Sequence, residues 1–95
     1  MLEGLFPVSH GRWTVPVMGV LYRVEVDWDA SLSGGGTIRV DGRVVQRWWL
    51  GVKGLPSTRR FRLGPAHCEV RKGPGLFGPP GLTLMVDGTP WPAEP

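Results

Sequence analysis

Apolar and polar residues alternate in short runs along most of the chain. The clearest run is Leu21 to Trp28, where Tyr22, Val24, Val26 and Trp28 fall on one side and Arg23, Glu25 and Asp27 on the other. A period of two is the signature of a half-buried β-strand. Thr37 to Val40, Asp41-Gly42 and Arg43 to Trp49 read as a hairpin, because Asp-Gly supplies the two positive-φ positions of a type I′ turn. That register sets Val40 opposite Arg43 and Ile38 opposite Val45. It predicts a core face of Ile38, Val40, Val45 and Trp49, and an outer face of Arg39, Val44, Gln46 and Trp48. Thr58 to Leu63 and Ala66 to Arg71 alternate with Phe61, Leu63, Ala66, Cys68 and Val70 inward, joined by Gly64-Pro65. Leu82 to Val86, Asp87-Gly88 and Thr89 to Trp91 repeat the Asp-Gly hairpin. Pro90 has no N–H to donate, which confines its strand to a sheet edge. Phe6 to Val8 and Trp13 to Val17 read as short strands, and Pro16 again implies an edge. Ser31 to Gly36 and Gly73 to Gly81 carry turn chemistry. No window sustains the i, i+3, i+4, i+7 spacing of a helix, and Gly or Pro recurs too often for one to propagate.

The two halves of the chain resemble each other. Thr37-Ile38-Arg39-Val40-Asp41-Gly42 returns as Thr83-Leu84-Met85-Val86-Asp87-Gly88, and Val24-Glu25-Val26 returns as Cys68-Glu69-Val70. Superposing them sets Ile38 on Leu84, Val40 on Val86 and Val45 on Trp91. Two repeats are too few for a solenoid, so the expected fold is one all-β domain over residues 1–95: a small antiparallel two-sheet β-sandwich with one half packed on the other.

Composition supports a packed core. Fifteen glycines and ten prolines in 95 residues would point to disorder in a polar chain, but 41% of the residues are hydrophobic and five are Trp. Gly and Pro therefore punctuate strands. The net charge of +3 is mild beside that of most phosphate-binding domains. A single cysteine, Cys68, excludes an internal disulfide. The N-terminal residues do not read as a signal peptide, since Glu3 and Pro7 interrupt the apolar stretch, and no run is long enough to span a bilayer. A cytoplasmic protein without membrane contact is the expectation. Nine of the eleven basic residues are Arg, Asn is absent and Gln46 is the sole Gln, a profile poor in thermolabile amides that fits a thermophilic source.

The series Tyr22-Arg23-Val24-Glu25-Val26, Thr37-Ile38-Arg39-Val40-Asp41-Gly42, Phe61-Arg62-Leu63-Gly64 and Leu84-Met85-Val86-Asp87-Gly88 resembles the Fas apoptotic inhibitory molecule domain over about residues 20–91. The resemblance lies in order and spacing more than in any one motif. It implies a compact, non-catalytic antiparallel β-sandwich, whose animal relatives are linked to protection from death signalling and to handling of misfolded protein. Those relatives carry two such domains in tandem, whereas this chain has room for one.

Candidate chemistry is sparse. His67 and Cys68, neighbours on one strand, project to opposite faces and cannot form a nucleophile–base pair. With His10 they match no zinc spacing, so no metal or cofactor is expected. Glu25 and Asp27 share a strand face with Arg23, which fits a solvated face of alternating charge with cross-strand partners such as Arg60 or Arg62. Gly34-Gly35-Gly36 lacks the Lys-Ser/Thr and the helix of a phosphate loop. The remaining feature is a contact surface of Arg39, Val44, Gln46, Trp48, Arg60 and Arg62. Exposed Trp and Arg are enriched at protein interfaces, and they can also hold single-stranded nucleic acid by stacking and phosphate pairing. The sequence therefore reads as a non-enzymatic module for protein binding or self-association as a homodimer, with nucleic-acid binding as the alternative.

Overall fold

The computed structural model describes residues 8–29, 35–48, 58–73 and 81–94. They form eight strands: β1 (Val8–Val17), β2 (Val20–Asp29), β3 (Gly36–Val40), β4 (Arg43–Trp48), β5 (Thr58–Leu63), β6 (Ala66–Lys72), β7 (Leu82–Val86) and β8 (Thr89–Trp91). β1 to β4 make one antiparallel sheet in chain order, and β5 to β8 make another. Every neighbouring pair is consecutive in sequence, as short connections favour. The fold is the expected all-β, two-sheet sandwich, and the described residues contain no helix.

Alternation places the core between the sheets. Trp13, Val15, Val17, Val24, Val26, Trp28, Ile38 and Trp48 enter it from the first sheet, and Phe61, Leu63, Ala66, Cys68, Val70 and Leu84 from the second. Tyr22, Val40, Val86 and Trp91 pack half-buried at its margin. Pro16 and Pro90 lie on β1 and β8, both edge strands, where a missing N–H breaks no ladder. The N-terminal segment departs from expectation. Val8–Val17 is one continuous strand paired residue for residue with β2, and not two short pieces.

Four two-residue turns close the hairpins at one end. Met18-Gly19, Asp41-Gly42 and Asp87-Gly88 hold positive φ at both positions, as a type I′ turn requires. Gly64 has φ +57° ahead of Pro65, fitting a type II′ turn with Gly first. The turn end is shared by both sheets, since Met18 lies beside Pro65 and Asp87, and the Tyr22 hydroxyl lies against Gly64.

The repeat is expressed in hydrogen bonds. Asp41 N–H donates to Arg23 O at 2.8 Å, and the Asp41 carboxylate accepts from Arg23 N–H at 2.9 Å. In the second sheet Asp87 N–H donates to His67 O at 2.8 Å, and its carboxylate accepts from His67 N–H at 2.9 Å. Each Asp thus starts its own turn and also clasps the strand next door.

The hairpin of β3 and β4 breaks the repeat and corrects the expected register. Val40 faces Arg43 and Arg39 faces Val44, but Ile38 faces Gln46, so Val45 is left over as a bulge. From that point each residue of β4 moves to the opposite face. Val45, expected in the core, is 49% exposed, whereas Trp48, expected outside, is 7% exposed. The Trp48 ring meets Trp28 edge-on at 4.9 Å, and the Arg59 guanidinium lies 4.8 Å from its centroid. Gly36, its cross-strand partner, leaves room for the ring. Trp49, the other expected core residue, lies outside the described residues, as do Phe6 and most of the connections 31–36 and 73–81.

Side chains bridge both lateral seams between the sheets. Gln46 Nε2 donates to Arg60 O at 2.8 Å, joining β4 to β5, and Trp91 Nε1 donates to Thr14 O at 2.9 Å, joining β8 to β1. After β8 the chain continues along β1, where Glu94 N–H donates to Arg12 O at 2.9 Å.

Candidate contact surfaces

The surface read from sequence does not hold together as a unit. Arg39 is committed to Asp27, with Nη1 at 3.1 Å from Oδ2. Gln46 turns inward toward the seam with β5, and Trp48 is core. Val44 stays on the outer face beside Arg39, 41% exposed. Arg60 and Arg62 lie on the outer face of the other sheet.

The outer face of the first sheet is a network of mutually satisfied charges. Asp27 accepts from Arg39 and pairs with His10 Nδ1, while Arg12 Nε donates to His10 Nε2 at 3.3 Å and lies 3.8 Å from Glu25. Glu25 and Asp27 therefore find partners on β1 and β3, the strands flanking β2, and not in Arg60 or Arg62 as expected. Each of these carboxylates is thus paired with an arginine on a flanking strand.

The outer face of the second sheet is more open. Cross-strand register sets Arg60, Glu69, Met85 and Pro90 in one row, with Arg62 and His67 on one side and Arg71 and Thr83 on the other. The face bounds a shallow depression of about 670 Å³, lined by these Arg residues, Met85 and Asp87. Glu69 at its centre is held by Arg71 at 2.6 Å and Arg60 at 3.6 Å, and the Arg71 hydrogen bond keeps its carboxyl below the usual range. Among the described residues Arg62 forms no ion pair. Three arginines thus surround one ion-paired glutamate and one half-buried thioether. Arg71 and Met85 carried no weight in the sequence reading; Arg71 shares this face with Glu69 two residues along β6, and Met85 lies opposite Glu69 on β7.

His67 and Cys68 occupy opposite faces as expected. Cys68 is 3% exposed beneath the sheet, and burial, with a smaller contribution from the Asp87 carboxylate, pushes its thiol up to about 11. A thiol held protonated near neutral pH is a weak nucleophile. Among the described residues no three of His, Cys, Asp and Glu converge as metal ligands. No helix of the described residues is long and apolar enough to cross a membrane. Comparison with protein-family models, with curated proteins and with solved structures finds no match for this chain.

Proposed function

We propose that this protein is a non-enzymatic interaction module that docks an acidic segment of a protein partner on the outer face of its second sheet. The observation that carries the reading is the set of Arg60, Arg62 and Arg71 on one solvent-facing surface, around Met85, with Glu69 already ion-paired. Guanidinium groups recognise carboxylates in a bidentate fashion, and a flexible thioether adapts to a neighbouring apolar side chain. Partner carboxylates have Arg62 available and would compete with Glu69 for Arg60 and Arg71. The buried thiol, the separation of His67 from Cys68 and the paired carboxylates of the first sheet support a binding role over catalysis. The non-catalytic sandwich implied by the Fas apoptotic inhibitory molecule resemblance is in keeping with this role. The nucleic-acid alternative needs an exposed aromatic on which bases stack. Trp48, the aromatic proposed for that role, lies in the core.

Fluorescence anisotropy with a labelled peptide of alternating Glu and Leu tests the reading. Wild type should bind it in low salt, and Arg60→Glu/Arg62→Glu/Arg71→Glu should weaken binding at least about tenfold, since each rim charge reversal removes an attraction and adds a repulsion. Tighter binding of a labelled oligothymidine, with a steep salt slope, would overturn the assignment in favour of nucleic acid.

A further inference from the structure

The four tight turns place a positive φ at their first position, with φ +49°, +52°, +57° and +47° at Met18, Asp41, Gly64 and Asp87. Gly takes that conformation freely, and Asp tolerates it because its short polar side chain bonds locally. Met has neither property. At the first position of the β5–β6 turn, the counterpart of the β1–β2 turn, stands Gly64, so the strain belongs to the first half alone. It is also not offset by packing, since Met18 is 86% exposed. A strained residue that gains no packing directs attention to a contact outside the chain.

The hairpin around Met18 exposes apolar side chains on both faces, with Pro65 and Asp87 of the second sheet beside it. Leu21, on the outer face, is 65% exposed, and Val20, on the inner side, is 50% exposed. β3 pairs with β2 only from Val24 onward, so this tip projects beyond the sheet. Two arginines flank it from opposite faces, Arg23 on the outer face and Arg43 beside the adjacent Asp41-Gly42 turn. Both are exposed, and neither forms an ion pair among the described residues. Three exposed side chains fall well short of the roughly 800 Å² per partner that a stable dimer needs. A projection that is apolar on both sides with cations at its base is instead suited to immersion in an apolar medium beneath an anionic layer.

We propose that the Met18-Gly19 tip is a membrane-surface anchor, with Met18 and Leu21 entering the acyl boundary of an anionic bilayer and Arg23 and Arg43 meeting its phosphates. The contact is with a surface and involves no crossing. It is separate from the acidic-partner face, which lies on the other sheet.

Cosedimentation of the full chain with vesicles of phosphatidylcholine, alone or mixed with phosphatidylglycerol, tests the proposal. Binding should be at least about tenfold tighter to the anionic vesicles, and Arg23→Gln/Arg43→Gln should erase that preference. Met18→Asp should lower binding at least about tenfold while the melting temperature holds or rises, because Asp fits this turn position better than Met. Leu21→Gln, at an exposed strand position, should weaken binding similarly and serves if Met18→Asp does not fold. No binding, equal binding to both vesicles, or binding that survives both substitutions overturns the anchor. A mass that rises with concentration and falls in Met18→Asp, without vesicle binding, overturns it in favour of a second copy of the chain.

Discussion

Replacing Trp48 with Ala tests the bulge at Val45 directly. In the observed register Trp48 is buried against Trp28 and beneath the Arg59 guanidinium, and Val45 stands in solvent. A register without the bulge exchanges these roles. Truncating a buried Trp costs about 3 to 5 kcal/mol when the site cannot collapse. The neighbours here resist collapse, since Trp28 and Ile38 are held in a four-stranded ladder. Loss of the edge-on ring pair contributes roughly 0.5 to 1.5 kcal/mol of that cost. For a chain whose whole stability is about 5 to 14 kcal/mol, the urea midpoint should fall sharply, with an unchanged slope if the transition stays two-state. Val45→Ala should stay within about 0.5 kcal/mol of wild type, as surface substitutions do. Equilibrium urea unfolding followed by far-ultraviolet circular dichroism measures both. A loss below about 1 kcal/mol for Trp48→Ala, or a larger loss for Val45→Ala, would refute the bulged register.

Gly36→Ala brings a Cβ into the Trp48 ring and to 2.6 Å from Asp27 O. It should cost about 1 to 3 kcal/mol by overpacking and change the tryptophan fluorescence, whereas a neutral outcome would show the ring free to move aside. Asp41→Ala and Asp87→Ala each remove a carboxylate acceptor and place Ala at positive φ, so each should cost about 1 to 3 kcal/mol in urea unfolding. Because the two lie in different sheets, their effects should add to within about 0.5 kcal/mol. Cys68 should resist a disulfide reagent at pH 8 until urea unfolds the chain. Its folded pKa of about 11 exceeds the ordinary 9.0, so its contribution to stability is complete below about pH 9 and is lost as pH rises to about 11. Cys68→Ala should flatten that alkaline decline, and an unaltered slope would assign it to other groups.

Strand positions were legible where one face is buried and the other wet. The alternation from Tyr22 to Trp28 and from Phe61 to Val70 maps directly onto the core, and Pro16 and Pro90 located two edges. The bulge was not legible because Val44 and Val45 are both apolar, so neither choice breaks the pattern. A sign of it lay in Gly36, whose missing side chain makes room for an aromatic ring across the strand pair. The partners of Glu25 and Asp27 depend on which strands flank β2, and alternation carries no information on strand neighbours. The surface formed by Arg60, Arg62 and Arg71 needed the same knowledge. The Met18-Gly19 turn escaped notice because Met is not a turn former, which is also why its placement there is informative.

In the described residues each sheet completes its hairpins and its aspartate clasp within one half of the chain, and the backbone passes between the sheets only from Trp48 to Thr58. Severing the peptide inside that passage would sever no strand pairing among these residues. The halves are therefore candidates for a split protein, two separately produced fragments that find each other through Gln46 with Arg60, Trp91 with Thr14 and the shared core. Reassembly would then report proximity of whatever is fused to each half.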